Sequence, residues 1–311
     1  MPSHVVKPLH PEVLRGWPLP LPSRHADKEE RGRVLVIGGS PEMPGAAILA
    51  ATAALRAGAG KLQIATCASV AQLVALAIPE SRVIALPETA DGGIDAAGIG
   101  KLDAPLARAD AVLVGPGMQD DEAIRAFVNA LLPRLGNCRV VLDAGAMNAL
   151  PGSAVEQSAG NLPVALDALQ AIDIRGLITP HAGEMAHLLG IGKEAVVADP
   201  YGAARKAAQR WGVMVALKGA TTVIAAPNGR MWKHEGGNAG LATSGSGDIL
   251  AGVIAGLVAR GAPLDQACAW GVTLHAQAGE ALNERFGPIG FLAGELAAEI
   301  PRLMHAFGTP G

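Results

Sequence analysis

Asn238-Ala-Gly-Leu-Ala-Thr-Ser-Gly-Ser-Gly-Asp248 runs without a break into Ile249-Leu-Ala-Gly-Val-Ile-Ala-Gly-Leu-Val-Ala259. Small residues and glycines lead to a single carboxylate, and an apolar segment of helical spacing begins at once. Gly245 and Gly247 permit a tight turn and a close approach of backbone to a ligand. The free amides of a first helical turn, together with the helix dipole, favour an anion at that point. Asp248 stands at this positive pole with no basic residue beside it in sequence. Two roles suit a carboxylate there. It caps the helix, since Asp is a preferred N-cap residue, or it is a base held beside bound phosphate. More side-chain-free positions surround it than a cap needs, which favours the base.

Upstream of this junction the chain alternates strands and helices. Arg33-Val-Leu-Val-Ile-Gly-Gly-Ser40 reads as a buried strand closing in a glycine turn. Pro44 to Arg56 reads as a helix ended by Gly58 and Gly60, and Lys61 to Thr66 as the next strand. That order is the βαβ unit of a parallel sheet. Further strands are expected at Ala111–Val114, Arg139–Asp143, Leu177–Thr179 and Val213–Leu217. Thr222–Ala226 and Arg230–Trp232 flank Pro227-Asn-Gly229, a hairpin signal. From Ile249 onward the chain is mostly helical, with breaks near Gly261-Ala-Pro263 and Gly287-Pro288. The predicted class is α/β, a mainly parallel central sheet with helices on both faces. Residues 33–311 read as a single domain. Residues 1–32 read as an extended arm, where Pro18, Pro20 and Pro22 exclude regular helix. The arm lies on its own domain or on a neighbouring subunit.

Composition narrows the function. Half of the 311 residues are hydrophobic and 17% are charged, enough to bury one large α/β core. Net charge is −3 with no basic block, and aromatics are 3%, which argues against a nucleic-acid partner. The three cysteines, Cys67, Cys138 and Cys268, are far apart, so neither a zinc site nor a disulfide framework is expected. No signal peptide is visible, and apolar windows are interrupted before spanning length. The expectation is a soluble, cytoplasmic protein without a membrane partner.

Ligands of open α/β sheets bind outside the carboxyl ends of the strands. Ser40, Gly117, Asp143, His181 and Lys218 all fall at such ends. Each has a plain structural use: His181 and Asp143 as helix caps, Lys218 as the solvated end of a strand. Their coincidence with Asp248 is harder to explain that way. Gly38-Gly39 lacks the full GxGxxG spacing, and no GxxxxGK[ST] occurs, so the P-loop reading fails.

The sequence resembles the ADP/ATP-dependent NAD(P)H-hydrate dehydratases of the ribokinase-like superfamily, from about Gly16 to the C-terminus. The resemblance rests on Val34-Leu-Val-Ile-Gly-Gly-Ser40 with Gly45-Ala-Ala47, on Gly115-Pro-Gly117, and on Thr179-Pro-His-Ala-Gly-Glu184. Its strongest parts are Lys218-Gly-Ala-Thr-Thr-Val223 and the Asn238–Asp248 stretch. It implies a ribokinase-like fold and a stand-alone dehydratase, without the epimerase domain fused to many members. The implied activity restores NADH or NADPH from the S epimer of the hydrated forms, NADHX and NADPHX, while ADP (or ATP) is hydrolysed with Mg²⁺. By the same resemblance, Ala46, Gly117 and His181 contact the hydrated dinucleotide. Lys218, Gly219, Ala220, Thr221, Thr222 and Gly247 match the adenine-nucleotide site. Asp248 matches the catalytic aspartate that also touches substrate, and Glu184 an acidic residue near Mg²⁺, acting through water. A functional link to an NAD(P)HX epimerase and a homotetramer are implied as well. Asp143 is followed by Ala-Gly-Ala-Met where many members have Asp-Ala-Asp-Ala-Leu, and Ser244 and Ala239 replace a common glycine and proline. The nearer rival is a ribokinase-like kinase of a small alcohol, such as hydroxyethylthiazole, hydroxymethylpyrimidine or a sugar. A non-enzymatic nucleotide sensor is the more distant one, and a carboxylate facing phosphate would serve it nothing.

Overall fold

The computed structural model describes residues 5–21, 23, 30–150 and 175–308. Among the described residues, ten strands form one sheet: β1 (Val6–Pro8), β2 (Arg33–Ile37), β3 (Lys61–Cys67), β4 (Ser81–Leu86), β5 (Ala111–Val114), β6 (Arg139–Leu142), β7 (Gly176–Ile178), β8 (Met214–Leu217), β9 (Thr221–Ala225) and β10 (Met231–Glu235). Their spatial order is β1-β10-β9-β8-β7-β6-β5-β2-β3-β4. From β4 across to β8 every pairing is parallel. β9 and β10 add antiparallel strands beyond it.

The expected alternation is thus present, and the reason is burial on both faces. Val34–Ile37, Ala111–Val114 and Met214–Leu217 are buried at every position, which demands uninterrupted apolar runs. Two apolar clusters cover the two sides of the sheet. One contains the helices Pro44–Arg56, Ser246–Ala259 and Leu264–Phe286; the other contains Asp121–Leu131, Ala182–Leu189 and Pro200–Trp211. The helix Ser246–Ala259 is apolar all round and almost wholly buried, as a central helix must be. Gly252 and Gly256 let it lie against the backbone of Pro44–Arg56, where a Cβ would collide with Ala50 O and Ala54 O. That contact sets the height of the helix, and so the position of Asp248 at its start.

The arm is more ordered than an extended segment. Val6–Pro8 pairs in parallel with β10, and Pro11–Arg15 forms a short helix with proline at its first position, where a missing N–H costs nothing. The arm packs on its own domain. Trp17 stacks on Trp232 with ring centroids 6.3 Å apart, and its carbonyl accepts from Trp270 Nε1 at 2.8 Å. Among the described residues, no helix is long and apolar enough to cross a membrane.

Candidate active site

A cavity of about 820 Å³ opens at the carboxyl ends of β6, β7 and β8, beneath the start of the helix Ser246–Ala259. Asp143, His181, Glu184, Lys218, Gly247 and Asp248 line it, together with Gly219, Ala220 and Thr222. Residues separated by more than a hundred positions meet because parallel strands all end on one edge.

Each side chain is placed by a local device. β6 ends at Asp143, which is 3% exposed and accepts from the Thr179 hydroxyl at 2.6 Å. β8 ends at Lys218, whose backbone amide donates to Pro180 O at 2.8 Å. Its Nζ lies 3.5 Å from Asp143 Oδ1 and 3.9 Å from Glu184 Oε2, so one ammonium serves two carboxylates. His181 and Glu184 form a capping box on the helix Ala182–Leu189. His181 Nδ1 accepts from the amides of Gly183 and Glu184 at 3.0 and 3.1 Å, and Glu184 accepts from the His181 amide at 2.7 Å. The cap is therefore real, and it leaves the rest of the imidazole, side chain 59% exposed, on the cavity wall. Structural and functional readings of His181 are not exclusive.

Gly245, at φ +88, precedes the first turn of the buried helix, and Asp248 sits in that turn. Burial pushes the Asp248 carboxyl up to about 7, the Asp143 charge adds to the rise, and Lys218 opposes it. A carboxyl so placed exchanges a proton near neutrality, the condition for a general base. Behind it, His275 of the helix Leu264–Phe286 bonds the first turn through Nε2, at 2.9 Å from Ser246 Oγ and 3.0 Å from Ser246 O. The edge of the ring reaches the cavity, but desolvation pulls its pKa down to about 4, with Lys218 and His234 adding to the fall. His275 is neutral and holds the turn in place.

Two of the expected residues stand apart. Ala46, in the first turn of the helix Pro44–Arg56, adjoins Gly117, just past the end of β5, where a Cβ on Gly117 would fall 2.8 Å from that of Ala46. Neither borders the 820 Å³ cavity. They mark the place where the strand order reverses, β3 and β4 lying to one side of β2 and β5–β8 to the other. Thr221 opens β9 without lining the cavity, whereas Thr222 lines it. No group of three or more His, Cys, Asp or Glu arranged to hold a metal occurs among the described residues.

The family model described as NAD(P)H-hydrate dehydratase matches residues 34–302. The chain belongs to the NAD(P)H-hydrate dehydratase family. It is 45% identical over 292 residues to the ADP-dependent (S)-NAD(P)H-hydrate dehydratase of Xanthomonas campestris, covering 94% of each chain. It is 39% identical to the bifunctional NAD(P)H-hydrate repair enzyme Nnr of Moorella thermoacetica, where 92% of this chain spans 52% of the larger protein. Among solved structures it resembles the ADP/ATP-dependent NAD(P)H-hydrate dehydratase of Bacillus subtilis co-crystallised with ATP/Mg²⁺. The TM-score is 0.78 and identity 29%, over 98% of this chain and 100% of that one. The ribokinase-like α/β fold expected from the sequence is thereby shown.

Four residues of the candidate site do not stand out in the sequence. Thr179 orients Asp143, His275 braces the Asp248 turn, and His234 and Asn238 line the cavity. Asn238 opens the decisive stretch, where the pattern marks only a boundary. His234 and His275 lie inside a strand and a helix, where nothing in the local pattern separates a site residue from a core one.

Proposed function

We propose that the chain is an ADP-dependent (S)-NAD(P)H-hydrate dehydratase, a hydro-lyase that repairs the hydrated coenzymes NADHX and NADPHX. The observation that carries this reading is Asp248, a carboxyl poised near neutrality at the head of a glycine-started helix, inside a cavity that Lys218 shares. Family membership supplies the reaction.

Ionised Asp248 takes the proton of the C6 hydroxyl, and the freed oxygen attacks the β-phosphorus of ADP. AMP departs. The first turn of Ser246–Ala259, with Lys218, stabilises charge on the transferring phosphoryl group. The ring nitrogen's lone pair then breaks the C6–O bond, phosphate leaves, and loss of the C5 proton restores the reduced nicotinamide. Lys218, Gly219, Ala220, Thr221, Thr222 and Gly247 are assigned to the nucleotide, and Ala46, Gly117 and His181 to the hydrated dinucleotide, whose nicotinamide must reach Asp248. Carboxylates with no dense ligand cluster suit Mg²⁺, which keeps most of its waters and binds through phosphate. Glu184 and Asp143 would hold it through water, and it would neutralise phosphate charge.

The same reading takes residues 33–311 as one domain and the chain as cytoplasmic and homotetrameric. It also makes an NAD(P)HX epimerase the functional partner, a link supported by the bifunctional repair enzymes among its relatives.

The test is absorbance in the reduced-nicotinamide band, with purified protein, hydrated NADH, Mg²⁺ and either ADP or ATP. Recovery of the band with nucleotide and none without it is expected, with AMP and phosphate as products from ADP. A stable phosphate ester of a small alcohol in place of that recovery would return the kinase reading.

A further inference from the structure

At the head of the helix Ser246–Ala259, the Ile249 amide closes the first helical bond, to Gly245 O at 3.1 Å. The Ser246 amide turns back to Thr243 O at 3.2 Å. A first turn offers the two amides between them, of Gly247 and Asp248, no backbone acceptor, so these are the donors an anion would meet. The Gly247 amide shares a planar trans peptide with the Ser246 carbonyl, so its N–H points the opposite way from that oxygen. Turning this plane over changes ψ of Ser246 and φ of Gly247, and glycine accepts either sign of φ. Helix ends fray, which makes a first-turn peptide followed by glycine the least fixed of the helix. His275 fixes it. Its Nε2 lies 3.0 Å from Ser246 O, which only accepts, so Nε2 carries the proton. The Ser246 hydroxyl, 2.9 Å from the same nitrogen, takes the other branch of that bond. Gly271 brings the two helices close enough for the reach, since a Cβ there would fall 2.5 Å from Ile254 Cγ1.

We propose that His275 is a positioning residue for phosphoryl transfer: by holding the Ser246 carbonyl it aims the Gly247 amide at the transferring phosphoryl group and steadies the turn that carries Asp248. It acts through Ser246 and not on the reacting atoms. Charge on the phosphoryl oxygens is stabilised most where it develops, so a misaimed amide costs rate more than ground-state binding. The inference rests on the nucleotide-dependent reading above and adds to it the group that orients its anion site.

Three variants of the full chain separate this role from a merely structural one. His275→Phe keeps the size of the ring and removes the donor. His275→Gln places an amide N–H where Nε2 stands, and His275→Asn carries the same amide too short to reach Ser246 O. Turnover of hydrated NADH with ADP and Mg²⁺ gives kcat, and titration calorimetry with ADP and Mg²⁺ gives affinity and counts the folded sites. In His275→Phe and His275→Asn, kcat per folded site should fall about 100-fold, the effect of losing one donor to a developing anion. ADP affinity should fall less than about tenfold, and His275→Gln should recover most of the lost rate. Unchanged kcat in His275→Phe, equal losses of kcat and affinity, or a glutamine variant as slow as the phenylalanine one overturns the inference and leaves the dehydratase reading standing. Wild-type protein that binds ADP without restoring hydrated NADH overturns both.

Discussion

Gly115-Pro-Gly117 and Gly245-Ser-Gly247 are spelled almost alike, and both close a turn at the same edge of the sheet. Their surroundings differ. Gly115 has φ +123, and a Cβ there would collide with the backbone carbonyl of Asp143; one on Gly117 would fall 2.5 Å from Met43 O. That turn is closed on backbone, which cannot yield. A Cβ on Gly247 would meet only the mobile tip of Lys218, at 3.3 Å from Nζ. Gly247 thus faces a cavity while Gly115 faces the fold, and the difference separates a glycine kept for packing from one kept for a ligand.

The largest effect is expected beside the second turn. Asp248→Asn keeps the shape of the carboxyl and removes the base, so kcat should fall by about 10²- to 10⁴-fold while ADP affinity changes little. Steady-state kinetics with calorimetry decides this, and near wild-type turnover would sink the assignment. At the first turn, Gly115→Ala adds a strained φ and a backbone clash, costing more than about 4 kcal/mol. The expected readout is loss of cooperative unfolding, or insoluble protein. A Tm near wild type would show that the turn can open.

The pH dependence sharpens the same contrast. kcat/KM should rise with pH through about 7 as Asp248 ionises, and this limb should vanish with the residue. The folded-state pKa of Asp248 lies above the unfolded value of 3.8, so the folded chain holds the proton more tightly. Its favourable contribution is complete below pH 3.8 and disappears as pH rises through about 7. At pH 8, Asp248→Asn should therefore unfold at a higher denaturant concentration than wild type, by an amount on the order of 2–4 kcal/mol. An inactive variant with unchanged stability would mean that Asp248 is not desolvated in solution. The smallest effect belongs to Gly247→Ala. Alanine suits a helix as well as glycine or better, so Tm should hold within a few degrees while the KM for ADP rises about tenfold, roughly 1.4 kcal/mol of binding. A large fall in Tm would make the two turns equivalent after all.

Legibility followed the range of the interaction. The strands β2, β5, β6 and β8 stood out because a sheet buried on both faces needs unbroken apolar runs, a property of neighbouring residues. Asp248 stood out because glycines, carboxylate and helix are contiguous. The hairpin at Pro227-Asn-Gly229 was written in its own turn. The arm is less legible, since the pairing of Val6–Pro8 with β10 joins residues more than two hundred positions apart.

The amino-acid sequence by itself determined the α/β class, the order of the strands and helices apart from β1 and β4, the glycine-led anion pole and the family. Each of these rests on local propensity or on a short contiguous motif. Only the tertiary structure decided that Lys218 stands between Asp143 and Glu184 and that His275 braces Ser246. It also set Ala46 and Gly117 at the strand-order reversal, away from the cavity that His181 and Asp248 share. Such facts depend on which strand ends are neighbours. That is fixed by packing across the whole sheet, where a desolvated carboxyl or a bracing imidazole leaves no trace in the residues beside it.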